Sequence, residues 1–175
     1  MPSNLYICPM TFPELKSLLT THFGEGIILQ AEEATRQPAL VVPAGRIAEV
    51  CAFLHEHEAT YFDFLSCLTA LDNGPAKGTM EVIYHLYSIP YEHHLVLKVI
   101  VPRNAEGEPL PEVPTVSGVW RTADWHEREA YDLVGIRFAS HPDLRRILCA
   151  ADWVGHPLRK DYRQQETYHG IKVAY

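Results

Sequence analysis

Tyr61-Phe-Asp-Phe-Leu-Ser-Cys-Leu-Thr-Ala-Leu71, Thr79-Met-Glu-Val-Ile-Tyr-His-Leu-Tyr87 and His94-Leu-Val-Leu-Lys-Val-Ile-Val101 are three runs rich in aromatic and β-branched residues, the first two parted by Asp72-Asn-Gly-Pro75. Such runs between turn residues read as three consecutive strands of a meander. His93 and His94 fall at the second reversal and read as solvated turn residues. Upstream, Thr11-Phe-Pro-Glu14 has capping-box spacing, and Leu15, Leu18, Leu19 and Phe23 follow at helical intervals, which predicts a helix over 12–23. Gly24-Glu-Gly26 ends it. Ile27-Ile-Leu-Gln-Ala31 and Ala39-Leu-Val-Val42 read as a short hairpin. Ile47, Val50, Cys51 and Leu54 mark a second amphipathic helix that ends near His57. The order α-β-β-α-β-β-β predicts an α+β two-layer sandwich with a mostly antiparallel sheet.

Downstream the pattern changes. Residues 102–114 hold four prolines and three glutamates and read as an extended, exposed connection. Val116, Trp120, Ala123, Ala130 and Val134 lie near one helical stripe, predicting a helix over about 116–134 that closes the domain at 1–138. Residues 139–175 lack periodicity and read as a long irregular extension that needs something to lie against.

The chain has 175 residues, 47% hydrophobic and 21% charged, within the ordinary globular range, so disordered and fibrous classes lose their compositional basis. A net charge of -7 disfavours a nucleic-acid binder that works by bulk phosphate neutralisation. No apolar run has the length of a membrane span. Met1-Pro-Ser-Asn-Leu-Tyr6 has neither the basic nor the apolar region of a secretory leader, so the expected compartment is a cytosol. Cys8, Cys51, Cys67 and Cys149 form no Cys-x-x-Cys unit and read as free thiols, each a small buried hydrophobe.

Searches for catalytic patterns return nothing: no Gly-x-Ser-x-Gly elbow, no phosphate loop ending in Lys-Ser/Thr, no Gly-x-Gly-x-x-Gly turn. His55 and His57 point about 200° apart on a helix, so they do not share a metal there. The informative stretch is Trp120-Arg-Thr-Ala-Asp-Trp-His-Glu-Arg-Glu-Ala-Tyr-Asp-Leu-Val-Gly135. Glu127 projects from the apolar stripe and requires an Arg or backbone donors from another segment, with Arg145 and Arg146 the nearest cations in sequence. Arg121, Asp124, Arg128 and Asp132 form a second arc of i,i+3 and i,i+4 charge pairs. That arc reads as a solvated face unless a partner covers it, and Trp125 in its midst favours the partner. His141-Pro-Asp-Leu-Arg-Arg-Ile-Leu148 and Gly155-His-Pro-Leu-Arg-Lys-Asp-Tyr162 add two clusters of cations with interleaved carboxylates, a pattern suited to an acidic protein partner.

Glu127-Arg-Glu129, Asp132-Leu-Val134, His141, Arg145 and Ile147-Leu148 together resemble the signature of the thirty-kilodalton subunit of respiratory complex I, which in bacteria is the C subunit of NADH:quinone oxidoreductase. Pro157-Leu-Arg-Lys-Asp-Tyr162 and Phe62-Asp-Phe-Leu-Ser-Cys-Leu-Thr69 extend the similarity from about Tyr61 to Tyr162. The first sixty residues resemble the family only in their α-β-β-α order. The resemblance implies a non-catalytic subunit in the peripheral arm of a proton-translocating complex that passes electrons from NADH through FMN and iron–sulfur clusters to quinone. The chain itself would bind no cofactor or metal. Its partners would be the large quinone-site subunit and the iron–sulfur subunits, at the cytoplasmic face of the bacterial inner membrane, with the extension wrapped over them. On this reading Trp125, Arg128, Arg145, Arg146, Arg159 and Lys160 anchor the partner surface. Glu127 pins the helix to the tail, and Glu129, Asp132 and His141 complete the signature.

Two other readings stand beside it: the equivalent subunit of a membrane-bound hydrogenase or another quinone- or plastoquinone-linked dehydrogenase, and a metal-dependent hydrolase built on the histidines. The charge is divided unevenly: residues 1–119 carry 6 basic and 14 acidic side chains, and residues 120–163 carry 8 basic and 7 acidic. The near-neutral, arginine-rich segment is the one expected to meet a partner.

Overall fold

The computed structural model describes residues 9–105 and 107–173. Thr11 caps the first helix, α1 (Phe12–Phe23): its backbone N–H and its hydroxyl both donate to Glu14 Oε2 at 2.7 Å. After it come β1 (Gln30–Glu32), β2 (Ala39–Val41) and α2 (Ile47–Glu56), then the long strands β3 (Phe64–Asp72), β4 (Thr79–Ser88) and β5 (His93–Pro102). β1 is shorter than its sequence suggests, because Ile27 turns inward at the end of a 3-10 turn, Glu25–Ile27. The five strands lie in the order β1-β2-β5-β4-β3, antiparallel except for the β2–β5 pair. This is the expected α+β sandwich.

One core joins Leu15 and Leu19 of α1, Val50 and Leu54 of α2, and the inward residues of the meander, with Trp120, Ala123, Ala130 and Val134 from beyond it. On β4 Met80, Val82, Tyr84 and Leu86 point in, as a half-buried strand requires. A register shift between Leu65 and Cys67 bends β3 and returns Leu68 to the core side. The opposite face of the sheet leaves Phe64, Leu71 and Ile100 exposed. His93 corrects the turn reading: its ring is buried, Nδ1 accepts from Met10 N at 3.1 Å and Nε2 donates to Thr60 O at 2.7 Å. Both ring nitrogens are therefore committed to one neutral tautomer, and burial holds the pKa below its ordinary value.

The segment after β5 is also more ordered than its prolines suggest. Glu112–Pro114 (β6) pairs in parallel with Arg137–Ala139 (β7), and Val113 is fully buried. The helix expected from residue 116 begins at Ala123 (α3, Ala123–Val134). Residues 116–122 make turns instead, because two of their groups are held by other elements. Val116 N donates to Glu127, and the Trp120 indole N–H donates to Phe62 O at 2.9 Å. Beyond β7 the chain is largely irregular up to a small hairpin, β8 (Thr167–Tyr168) with β9 (Ile171–Lys172). Cys8 lies outside the described residues. Cys51 is a buried free thiol, but Cys67 is exposed and Cys149 half-buried, so the buried-hydrophobe reading holds only for the first of these.

Phe62 O also receives His55 Nδ1 at 3.0 Å, so Trp120→Phe removes one of two donors from that carbonyl. The expected loss is about 1 kcal/mol in equilibrium urea unfolding with an unchanged m-value.

Candidate functional site

An α-helix leaves its last four carbonyls without intrahelical donors, and its C-terminus carries partial negative charge. In α3 those of Tyr131 to Val134 are at stake. Gly135, with φ +79°, turns the chain and returns its N–H to Ala130 O and Tyr131 O. Residues 141–162, here called the strap, supply the rest. His156 Nδ1 donates to Asp132 O at 3.0 Å and Leu158 N to Leu133 O at 2.8 Å. Arg159 Nε donates to Val134 O at 2.8 Å, and its Nη2 to Gly135 O and Asn104 Oδ1. The approach is close. A Cβ on Gly135 would sit 2.5 Å from the His156 ring and 2.7 Å from Arg159 Nη2, so only glycine fits beneath the strap.

Two buried carboxylates fasten the strap. Asp132 Oδ2 accepts the backbone N–H groups of Ile147, Leu148 and Cys149 at 3.0, 2.7 and 2.8 Å, and Oδ1 pairs with Arg146 Nη1 at 2.6 Å. Arg146 continues to Gly155 O. Burial works to raise the Asp132 pKa, yet these donors outweigh it and hold the carboxyl at about 2. Asp72, at the end of β3, accepts Gly74 N and Arg103 Nε on Oδ1 and Lys160 N on Oδ2. Arg103 also reaches Asp161 Oδ1. Asp72, read from sequence as a turn residue, and Arg103, hidden in the proline-rich connection, are the anchors that sequence reasoning missed. Both were legible only as charges beside a turn.

Glu127 is buried and resolved by backbone and hydroxyl donors rather than by Arg145 or Arg146. Oε1 accepts Val116 N at 2.7 Å and Oε2 accepts Thr115 Oγ1 at 2.5 Å, with His141 Nε2 at 3.8 Å. It pins α3 chiefly to the 115–116 turn and touches the tail only through His141. Burial is the main cause that lifts its pKa to about 7; the two hydrogen bonds oppose the rise and Asp124 adds to it.

The second arc of α3 is not the solvated face that its charge spacing suggests. Asp132 and Arg128 are buried, and Arg128 lies 5.0 Å from the centre of the Trp125 ring, with its Nε 3.4 Å from Arg145 O. The i,i+4 pair of Arg128 with Asp124 is stretched to 4.0 Å, and Asp132 turns to Arg146. His141 Nε2 donates to Asp124 O at 3.2 Å while its Nδ1 accepts Asp143 N. Of the cations assigned to a partner surface, Arg128, Arg146 and Arg159 bond within the chain. Arg145, paired with Asp143 at 2.9 Å but with its side chain 71% exposed, and Lys160, whose Nζ among the described residues reaches Asn73 O alone, face solvent, as do Trp125 and Glu129. Leu148, Val154 and Leu158 on the strap are exposed as well. His55, His93, His126, His141 and His156 each bond a backbone group, and no three metal-ligating side chains converge among the described residues.

A polypeptide module whose helix end is closed by a coreless strap is the class this geometry defines. The same fold occurs in a chain of the membrane-bound sulfane sulfur reductase, an archaeal respiratory membrane complex: TM-score 0.66 and 24% identity over 85% of this chain and 83% of that one. Residues 40–168 match the family described as respiratory-chain NADH dehydrogenase, 30 Kd subunit, and the chain belongs to that family. It is 40% identical to the C subunit of NADH-quinone oxidoreductase from Chlorobium phaeobacteroides over 87% of this chain and 89% of that protein. The protein of the same name from Moorella thermoacetica is 44% identical over 78% and 87%. That from Chloroherpeton thalassium is 47% identical over 72% of this chain, a match that spans half of its own length.

Asp132→Asn keeps the shape but takes away the charge paired with Arg146, and is expected to cost about 3 kcal/mol. Hydrogen exchange should show the amides of Ile147, Leu148 and Cys149 losing protection before the β4–β5 core does. The Glu127 prediction concerns pH. Below 4.5 both folded and unfolded chains hold its proton; between 4.5 and about 7 only the unfolded chain ionises, so folding stability falls as pH rises through that window. Glu127→Gln should remove that decline in urea titrations run across the window.

Proposed function

We propose that the chain is a non-catalytic structural subunit of a proton-translocating NADH:quinone oxidoreductase, seated in its peripheral arm on the cytoplasmic side of a bacterial inner membrane. The electrons pass from NADH through FMN and iron–sulfur clusters to quinone, in chains other than this one. The observation that carries the reading is on the strap. It is fastened to the chain's own helix and sheet through Asp132, the carbonyl end of α3 and Asp72, yet Leu148, Val154 and Leu158 on it, and Trp125 on α3, stay 60–71% exposed. Large apolar side chains held outward on an ordered segment mark a surface that another protein covers. The names of the relatives and the family match support the choice of complex.

No described helix is long and apolar enough to cross a membrane, so attachment would run through partner chains. The large quinone-site subunit and the iron–sulfur subunits are the proposed neighbours. Arg145, Lys160, Trp125 and Glu129 are the proposed contacts. Arg128, Arg146 and Arg159 serve it by holding the strap.

A tagged chain purified from gently solubilised membranes should bring down those subunits, identified by mass spectrometry. Trp125→Ala and Arg145→Glu should lower the assembled complex on native gels while costing the isolated chain no more than about 1 kcal/mol of stability, from the lost stacking on Arg128 and the lost pair with Asp143. Full assembly of both variants overturns the interface role.

A further inference from the structure

Between the segment after β5 and the end of the strap lies an open cleft of about 560 Å³ with three arginines on its wall: Arg103, Arg159 and Arg163. Their use of donors is uneven. Arg103 gives Nε to Asp72 and Nη2 to Asp161; Arg159 gives Nε to Val134 O and Nη2 to Asn104 and Gly135. The Nη1 atoms of both, and the whole guanidinium of Arg163, have no hydrogen-bond partner among the described residues. Among those residues Asp161 is the one carboxylate on the cleft wall, because Asp72 lies behind it with a fully buried side chain. His156, also on the wall, donates to Asp132 O and adds no negative charge. Among the described residues, three guanidiniums thus line the cleft against one carboxylate. After burial, the charge of Arg103 is what most depresses the Arg159 pKa, the mark of cations held close together.

We propose that this cleft is a carboxylate-binding site that receives an acidic side chain, Asp or Glu, from a neighbouring subunit. The inference rests on the reading of the chain as a subunit of a larger complex and names the chemistry of one contact in it. A carboxylate fits because the cleft already holds one: Asp161, half exposed at its rim, takes one branch of Arg103 in a 2.5 Å pair. A planar fork is the geometry that guanidinium donors recognise. The source is a polypeptide because the cleft continues the proposed contact surface. Val154 and Tyr162 line it, and Val154 is one of the strap's outward apolar side chains. An acidic side chain entering there lays its stem on apolar wall and its head among the guanidinium N–H groups that have no partner among the described residues.

The test uses the assembled complex and zero-length coupling. Arg163→Lys places a primary amine at the cleft, and a water-soluble carbodiimide joins an amine to a carboxylate within ion-pair reach, forming an amide with loss of one water. Arg163 has no ion-pair partner among the described residues, so the change spares the strap. The expected product in the purified complex is a peptide bearing position 163 joined to an Asp or Glu of another chain, its mass the sum of the two peptides less one water. It should be absent from the Arg163→Gln complex. If the partner chains co-purify but position 163 couples only to Asp161, to a lipid phosphate or to nothing, the carboxylate site is overturned and the subunit reading stands. If no partner chain co-purifies, the subunit reading fails and takes the inference with it.

Discussion

The structure beyond the sheet depends on closing one end of one helix. α3 stops at Gly135 with carbonyls that water would otherwise satisfy, and the strap covers that end. The strap is held little by apolar burial: Leu144 packs against the core, but the strap's large side chains are all half-buried or exposed. Ordering each of its residues costs about 1–2 kcal/mol of backbone entropy. What offsets this is a set of hydrogen bonds in which one partner is charged: arginines on the carbonyl end of the helix, backbone N–H groups on Asp132, and Lys160 N on Asp72. Bonds to charged groups contribute about 1.5–3 kcal/mol each, roughly twice a neutral pair, and the cations also face the negative end of the helix dipole.

Two carboxylates on the same helix reach opposite electrostatic states. Asp132 gathers three backbone N–H groups and an arginine, so ionisation is favoured in spite of burial. Glu127, five residues earlier, meets one N–H, one hydroxyl and a distant imidazole, and burial prevails. Which outcome a buried carboxylate reaches depends on how many donors the fold can aim at it. The strap, free of regular structure, can aim three consecutive amides at one oxygen; the 115–116 turn aims one.

Membership in the family of the respiratory-chain NADH dehydrogenase 30 Kd subunit accords with this construction. A strap fastened by hydrogen bonds to its own helix and sheet can hold apolar and cationic side chains outward in fixed positions. Such preorganisation lowers the entropy lost when another protein docks. The arginines that bond inward and the side chains that face outward thus belong to one device, the first set positioning the second.

Much of the first hundred residues was legible because period and punctuation are local. The Thr11–Glu14 box, the stripe from Ile47 to Leu54 and the alternation of β4 each follow from neighbours within a few positions, and the α+β class follows from their order. The residues from Glu127 to Tyr162 were legible as important, but their bonds were not. Glu127 stood out as a buried charge, yet its donors, Thr115 and Val116, lie behind a turn that the periodicity had drawn as helix. His93 read as a turn residue until Met10 and Thr60 closed on it. Arg128, Arg146 and Arg159 read as outward cations because sequence shows a charge and not the carbonyl it will meet. Local spacing determined the elements; only the tertiary structure decided the partners of the charges, because a hydrogen bond between residues 72 and 160 or 132 and 148 exists only once the chain has folded back on itself.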